Sequence, residues 1–330
     1  MVQHSTGAER EAILSPELPI IDPHHHLMNH YGMRYEIDDL KSDMADGHNI
    51  LATVYVECRR GYRQSGPPAL APVGETELID SIVSALPPGR TRFCAGIVAH
   101  ADLTLGDAVD EVLDAHLAAS PERFRGIRHL AAWDADETVH MTMINAYPAI
   151  LDEPSFRRGA MRLAARGLSF DTWIYHPQLP DLARFANALP NLNIVLDHIG
   201  MPVGVGPYTG RRSEVFENWR HGIRALAKHD NVVVKLGGFV MPITGFGWHE
   251  RAIAVGSEEL SKATRDYYMT VIDAFGPKRC MFESNFPMDR EACAYNVLWN
   301  SFKRIAADFT DSEKDDLFRR TAARLYRLET

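Results

Sequence analysis

The sequence predicts an α/β fold, a (β/α)8 TIM barrel, from two observations: short apolar runs recur along the chain, and amphipathic segments separate them. This alternation calls for parallel strands joined by right-handed crossovers. A count of eight runs favours a closed barrel over an open doubly wound sheet. The 330 residues suffice for one barrel domain, which we place at residues 19–330, after a polar segment at residues 1–18.

The predicted strands and helices follow one another in regular order. The strand runs are 20–27, 50–58, 93–100, 124–130, 169–176, 193–200, 232–238 and 280–287. The segments with apolar residues at helical spacing are 75–86, 107–119, 155–166, 179–189, 213–229 and 258–275. The chain from residue 301 onward has the pattern of a last helical pair. No Gly-x-Gly-x-x-Gly follows an early strand, so a dinucleotide-binding fold has no support.

Long connections follow predicted strands 2, 6 and 7, at residues 59–74, 201–212 and 239–255. Loops of this length are usually functional or disordered, and barrel enzymes build their sites from the loops that follow the strands. These three loops are therefore candidate lids and substrate walls.

Composition and charge argue against nucleic-acid and membrane partners. The formal net charge is −9, and the chain lacks the basic run that nucleic-acid binding requires. No window approaches the roughly 18 apolar residues of a membrane span. Residues 1–18 match neither a secretory signal nor a transit peptide, so we expect a cytoplasmic protein. The four cysteines form no C-x-x-C and are expected to be reduced. Homo-oligomerisation stays open.

Three histidines, His24, His25 and His26, end the first predicted strand. Successive side chains of a strand point to opposite faces, so His24 and His26 share one face and His25 takes the other. A pair of imidazoles at this spacing suits a metal or proton-transfer site. The alternative is a cluster of polar side chains that hydrogen-bond within the protein and have no metal or catalytic role.

Polar side chains also follow most of the other predicted strands, although barrel interiors are mostly filled by branched apolar residues. An arginine at a strand end suits bidentate binding of a carboxylate, and a lysine in an apolar strand requires a carboxylate partner or a substrate. The chemically capable residues at these ends are Glu57, Arg59, His100, Arg128, His129, Trp173, Tyr175, His176, Asp197, His198, Lys235, Glu283 and Asn285.

Five motifs follow one another at predicted strand ends: His24-x-His26, Gly126-Ile-Arg128, His176, Asp197-His198 and Phe282-x-Ser284-Asn285-Phe286-Pro287. Together they resemble the amidohydrolase superfamily, in its lactonase-like branch that contains 2-pyrone-4,6-dicarboxylate lactonase and sugar-acid lactonases. The similarity runs from about residue 19 to residue 328. It implies a metal-dependent-hydrolase-like barrel that opens cyclic esters by adding water, with one divalent metal, zinc or manganese, or with none.

One position departs from this resemblance. The family's eighth strand usually carries an aspartate that acts as general base, and here that position is Asn285. An amide has no basic site near neutral pH. Glu283, Asp289 or Glu57 could take the proton instead, or a divalent ion could lower the pKa of water. We expect Asn285 to orient a ligand.

The resemblance and the residues together lead to an expected hydrolase of the lactone of a small carboxylated substrate. The open alternatives are a decarboxylase or carbon–carbon bond hydrolase of an aromatic or unsaturated acid, and a barrel that binds a small acid without turnover. The expected catalytic residues are His24, His26, His198, Glu283 and Asn285, the expected substrate contacts are Glu57, Arg59, Arg128, Trp173, Tyr175 and Lys235, and the expected metal ligands are His24, His26 and His176.

Overall fold

Eight parallel strands form the barrel wall, which confirms the predicted fold. The computed structural model describes residues 11–30, 32–140 and 146–329. The wall strands, each beside the next, are β1 (Pro19–His25), β4 (Asn49–Val56), β5 (Arg92–Ala99), β6 (Phe124–Arg128), β7 (Ser169–Thr172), β8 (Asn193–Leu196), β9 (Val232–Leu236) and β10 (Cys280–Phe282). A short hairpin, β2 (Met28–His30) and β3 (Met33–Tyr35), follows β1.

Helices cover the outside of the wall, and the six predicted ones lie within a few residues of their expected bounds. Their apolar faces pack on the strands in one continuous core. The helices are α1 (Ile37–Met44), α2 (Val73–Ser84), α3 (Val109–Ala119), α4 (Pro154–Ala165), α5 (Leu179–Ala188), α6 (Arg212–Leu226), α7 (Ser257–Phe275), α8 (Tyr295–Ile305), α9 (Asp311–Asp315) and α10 (Thr321–Leu325). No helix in the described ranges combines the length and apolarity needed to cross a membrane.

The strands end earlier than the sequence predicts. All eight predicted runs extend past the end of the observed strand, by one to five residues, because the backbone leaves the β conformation there. His198 and Asn285, for example, have φ values of 53° and 54°. His176, His198, Glu283 and Asn285 therefore follow the strand ends on short turns at the barrel mouth, whereas His24, Arg128 and Lys235 lie within β1, β6 and β9.

The seam between β1 and β10 closes beyond the end of β10. The Asn285 amide donates to the His24 carbonyl at 2.9 Å, and the His26 amide donates to the Phe286 carbonyl at 2.7 Å. These bonds place residues 283–286 beside the histidine run.

The loops after β4, β8 and β9 are long, as predicted. The loop after β6 was not predicted; it spans residues 129–153, of which residues 141–145 lie outside the described part. Side chains from the connections after β6, β7, β8 and β9 form an apolar rim over the mouth, composed of Leu130, Ala132, Val139, Trp173, Tyr175, Met201, Val203, Met241 and Ile243.

The other end of the barrel is closed by the C-terminal segment. Ala322, Tyr326 and Leu328 pack under the inward-facing side chains of the strands, which include Val54 and Val195. We call these three residues the floor.

The predicted polar segment at residues 1–18 is described only from residue 11. There the Glu11 carboxylate accepts from the Ser257 amide at 2.7 Å, and the Leu14 carbonyl accepts from Lys303 at 2.7 Å. The division at residue 18 stays a prediction.

Buried histidines predict acid-sensitive folding. His116 bonds to Thr76 at 2.8 Å and to the His100 carbonyl at 3.0 Å, and burial lowers its pKa from 6.5 to about 4. The unfolded chain therefore takes up this proton first, so the stability is complete above pH 6.5 and is lost as the pH falls toward 4. We expect His116→Asn to remove up to about 3 kcal/mol of this dependence. Urea unfolding at a series of pH values measures it, and an unchanged slope in the variant would contradict the assignment.

Candidate active site

His24, in β1, and His26, just beyond its end, face each other at the mouth, and His25 points elsewhere. His24 Nε2 and His26 Nε2 are 3.2 Å apart, whereas His25 Nε2 contacts Thr53 Oγ1 at 2.8 Å. His24 and His26 are buried, and burial is the main cause that lowers the pKa of each well below 6.5. Both imidazoles are therefore neutral near pH 7, which suits ligation or hydrogen bonding.

Arg128 and Glu57 form a buried ion pair beside this histidine pair. Arg128 Nε donates to Glu57 Oε1 at 2.9 Å, its Nη2 donates to the Glu57 carbonyl, and its Nη1 is 3.4 Å from His24 Nε2. Burial opposes the charge of Arg128, but Glu57 and Asp197 raise its pKa above the ordinary value. The arginine is thus a fixed cation next to His24.

Glu283 links two imidazoles. Its Oε1 lies 2.7 Å from His198 Nδ1, and its Oε2 lies 2.8 Å from His24 Nδ1. Burial alone would raise the pKa of Glu283, but the two histidines lower it to about 2, so the carboxylate is ionised. An ionised carboxylate at Nδ1 fixes the His198 proton there and leaves Nε2 as its acceptor atom.

The backbone is strained where it presents His198. Both His198 and Ile199 have left-handed φ values, 53° and 52°, and such strain in non-glycine residues clusters at functional sites. Opposite them, Gly237 and Gly238 pass so close that a Cβ would overlap Glu283 at the first position and the His198 ring at the second. The two glycines therefore make room for the imidazole–carboxylate pair.

Lys235 lies below the histidines, inside the barrel. Its ammonium is 2.8 Å from Asp171, 3.0 Å from Asp197 and 3.2 Å from His24 Nδ1. Burial would lower the pKa of Lys235, but the carboxylates of Asp171, Asp197 and Glu283 raise it. The carboxylate partners that the sequence required for Lys235 are thus supplied by the protein itself, by Asp171 and Asp197.

The Asn285 side chain hydrogen-bonds to the carboxylate of Asp289. Its side-chain amide donates to Asp289 Oδ1 at 2.8 Å. Burial, followed by the charge of Glu283, raises the pKa of Asp289 well above its usual range. Behind them, Asp22 accepts from the Ser284 amide at 3.0 Å and from the Tyr295 hydroxyl at 3.0 Å, which secures the turn after β10.

Arg59 stands exposed where β4 leads into its loop. The amides on either side of it, those of Cys58 and Arg60, donate to Glu75 Oε1 at 2.8 and 3.0 Å, and Arg59 itself is left-handed with a φ of 68°. Its guanidinium lies 6.0 Å from the ring centroid of Tyr62. Glu75 thus anchors the start of the loop, and the Arg59 guanidinium is left exposed.

Three aromatic residues follow β7. The Trp173 ring meets His198 edge-on at 5.9 Å, and its buried Nε1 has no hydrogen-bond partner among the described residues. The Tyr175 hydroxyl donates to the Val139 carbonyl at 3.1 Å. His176 accepts from the Val203 amide at 3.3 Å and packs edge-on to Tyr208, and burial lowers its pKa to about 4.

A metal-compatible donor group lies within this cluster. Within the described ranges, the side chains whose ligand atoms lie within 4.8 Å of one another are His24, His198 and Glu283. This group shares only His24 with the expected set, since His26 and His176 are not in it.

The charges of the site also favour a cation. Four buried carboxylates, Glu57, Asp171, Asp197 and Glu283, face only two buried cations, Arg128 and Lys235. With neutral imidazoles the formal charge is two negative units. Asp197 Oδ1 contacts Lys235 at 3.0 Å, and its Oδ2 has no hydrogen-bond partner among the described residues. The donors and the charge balance fit a divalent ion.

Sequence reasoning missed two residues of this cluster, Asp171 and Tyr326. Asp171 is an acid inside the short strand β7, and an inward position was its only sequence signal. Tyr326 comes from the floor, and its hydroxyl donates to Asp171 at 2.6 Å. Nothing in the sequence around Tyr326 indicates that its hydroxyl contacts a carboxylate inside the barrel.

The fold and site define a class: barrel hydrolases whose histidines and carboxylates converge at the carboxyl ends of the strands. The chain belongs to the amidohydrolase family, whose model matches residues 21–328. It falls in the lactonase-like branch, as the sequence motifs indicated.

Comparisons with relatives agree with this placement. An uncharacterised protein of Sinorhizobium fredii is 32% identical over 94% of this chain and 99% of its own length. L-fucono-1,5-lactonase of Burkholderia ambifaria is 31% identical over 70% of this chain and 73% of its own length. A Burkholderia multivorans amidohydrolase crystallised with bound zinc is 25% identical, covers 94% of this chain and 99% of its own, and superposes with a TM-score of 0.71. The protein is thus an enzyme of the amidohydrolase superfamily.

The glycine pair yields a prediction about packing. Gly238→Ala adds a methyl group that overlaps the His198 ring, whereas Gly210→Ala, also at positive φ, meets no atom within 4 Å. Both variants incur the left-handed backbone penalty of about 1 kcal/mol, and Gly238→Ala should lose about 1–3 kcal/mol more from overpacking. Denaturant unfolding of both variants measures the difference, and equal losses would show that His198 is not confined by Gly238.

Proposed function

We propose that the enzyme opens the lactone of a small carboxylated substrate by adding water at the barrel mouth. The observation that carries this proposal is the His198–Glu283 pair, which faces His24 and Arg128 across a buried site. The proposal draws further support from the similarity to an L-fucono-1,5-lactonase.

In this proposal His198 is the general base. Glu283 accepts a hydrogen bond from Nδ1–H, so Nε2 can take a proton from water as the water attacks the ester carbonyl. His198 thus takes the role of the general-base aspartate, whose position is occupied by Asn285 in this chain. Glu283, expected from the sequence as a base, acts by orienting His198, and Asn285 with Asp289 supports the turn that carries Glu283.

The developing oxyanion is stabilised by the buried cation beside the histidines. Arg128 supplies positive charge at 3.4 Å from His24 Nε2. The site is nearly closed to solvent, with His198 only 3% exposed, so this charge acts in a medium of low dielectric constant. When the ring opens, the proton held by His198 passes to the leaving alkoxide.

His24, His198 and Glu283 are the residues that would hold a divalent metal. Such an ion supplies Lewis-acid polarisation of an ester carbonyl.

Arg59 and Trp173 provide substrate recognition in this proposal. Arg59 is a rim cation held by the Glu75 anchor, and it suits a substrate carboxylate. Trp173 has a buried indole N–H that lacks a partner in the described chain, and a substrate oxygen would satisfy it. Tyr175 forms the wall behind Trp173 at 5.6 Å.

The test of the base assignment compares His198→Asn with Glu283→Gln on a panel of lactones. His198→Asn removes the base and should lower kcat by about 10²–10⁴-fold. Glu283→Gln keeps a neutral acceptor for Nδ1 and should lower kcat by less, about 10–100-fold. Equal losses, or full activity of His198→Asn, would contradict the assignment. Release of carbon dioxide from carboxylated acids, with no lactone turnover, would identify a decarboxylase instead.

The test of substrate charge uses Arg59→Gln. Because Arg59 is exposed, whereas His24, His198 and Glu283 are buried, its loss should raise KM about tenfold for lactones that carry a carboxylate. The kcat should change little, and neutral lactones of the same ring size serve as the internal control. An equal effect on both substrate classes would exclude a carboxylate contact.

A further inference from the structure

The mouth of the barrel has a charged side and an apolar side. Glu57 and Arg59 follow the end of β4 and belong to the charged side. The apolar rim comes from the loops after β6, β7, β8 and β9, and in the order of the strands around the barrel β8 lies opposite β4. A molecule bound between the two sides therefore meets different chemistry at its two ends.

The apolar rim adjoins the proposed base. The ring centroid of Trp173 lies 5.9 Å from that of His198 and 5.6 Å from that of Tyr175. Met201 follows His198 by three residues, and its amide donates to the His198 carbonyl at 3.0 Å. A substrate whose ester lies at His198 must therefore place part of its structure against this rim.

The members of the apolar rim differ in their exposure. Val139, Met201, Val203 and Ile243 are fully enclosed. Half-buried Met288, in the loop after β10, packs against the rim. The members that keep 6–8% of their surface exposed, and that a bound molecule can touch, are Leu130, Ala132, Trp173 and Met241. The accessible surface thus consists of aliphatic, thioether and indole groups.

The polar groups of the same loops are engaged within the protein. The Tyr175 hydroxyl and the Gln178 amide donate to main-chain carbonyls at 3.1 and 2.7 Å. The Tyr208 hydroxyl donates to Asp134 at 2.7 Å. In the described part of the rim, Trp173 Nε1 is the buried polar side-chain atom that lacks a partner. The rim therefore offers a substrate one indole donor beside a largely apolar surface.

A ring that carries many hydroxyl groups does not match this surface. Each hydroxyl that is buried without a partner loses its hydrogen bonds to water, and this loss weakens binding. A lactone without ring hydroxyls has only its ester oxygens to satisfy, and Trp173 Nε1 can donate to one of them. A hydrocarbon substituent gains free energy when it leaves water for contact with leucine and methionine side chains.

We propose that the enzyme's substrate class is a lactone with a hydrocarbon substituent and no ring hydroxyls, whose apolar part packs on Leu130, Trp173 and Met241. This inference rests on the proposed function, which supplies the lactone, and it narrows the class of lactone. The carboxylate of such a substrate lies toward Arg59 and its hydrocarbon part toward the apolar rim. The class thus differs from the polyhydroxylated lactones of sugar acids.

The first test compares two neutral six-membered lactones, δ-nonalactone and D-glucono-1,5-lactone. The former carries a butyl group and no hydroxyl, whereas the latter carries hydroxyl groups around its ring. Because both lack a carboxylate, Arg59 does not distinguish them. We expect kcat/KM, divided by the rate of uncatalysed hydrolysis, to be at least about 100-fold higher for δ-nonalactone. An equal or higher value for D-glucono-1,5-lactone would overturn the inference.

The second test changes the rim itself by Met241→Gln, which keeps the length of the side chain and adds an amide. The kcat/KM for δ-nonalactone should fall about tenfold, and that for D-glucono-1,5-lactone should stay the same or rise. Met161→Gln is the matched control, because Met161 is 46% exposed on α4 outside the barrel, and neither lactone should be affected. Equal losses for both lactones in Met241→Gln would contradict the proposed contact. Leu130→Asn serves the same purpose if Met241→Gln does not fold.

A binding measurement separates this inference from the proposed function. The δ-lactams that correspond to the two lactones resist hydrolysis, so calorimetry measures their binding without turnover. We expect the butyl-substituted lactam to bind with a Kd at least about tenfold lower than that of the polyhydroxylated lactam. If no lactone is turned over, the proposed function fails and the lactam result still decides the class. Weaker, equal or absent binding of the butyl-substituted lactam would overturn the inference.

Discussion

The active site depends on how the barrel closes between its first and last strands. β10 is only three residues long, so the chain that follows it, residues 284–286, makes the contacts to β1. The Asn285 amide and the Phe286 carbonyl bond to the backbone of His24 and His26, and the Asp22 carboxylate receives the Ser284 amide. The same seam that completes the barrel therefore fixes the distance between the histidine pair and Glu283.

Charge is the second organising constraint. The carboxylates around the histidines outnumber the cations, and all of these groups are removed from water. A buried pair is stable only when its partners are held in good geometry, which explains why each charge here has at least one short contact. The excess negative charge draws cations and protons toward the histidines, so the site is electrostatically prepared for positive charge that arrives or develops there.

Much of the fold could be predicted from the sequence, because the alternation of apolar runs and amphipathic segments is a local pattern. The eight strands and the pairing of His24 with His26 follow from strand periodicity alone. The convergence of His198 and Glu283 on His24 could be predicted from the sequence, because the barrel topology brings the ends of the strands together.

The remainder depended on contacts between residues far apart in the chain. Tyr326 and Asp171 are separated by more than a hundred residues and meet only because the C-terminal segment folds beneath the barrel. The loop at residues 129–153 has no periodic pattern to reveal it. The sequence also placed Arg59, Arg128 and Lys235 together as substrate contacts. The structure separates them into an exposed cation near Tyr62, a cation paired with Glu57 and a cation enclosed by Asp171 and Asp197.

The left-handed turn at His198 and Ile199 has a consequence for the stability of the enzyme. A β-branched residue such as Ile199 is poorly suited to positive φ, and each such position costs of order 1–3 kcal/mol. Selection for thermal stability alone would therefore favour glycine or asparagine at these two positions. At His198 that change would remove the imidazole that Glu283 holds in place, so in this turn gains in stability and retention of the site oppose each other.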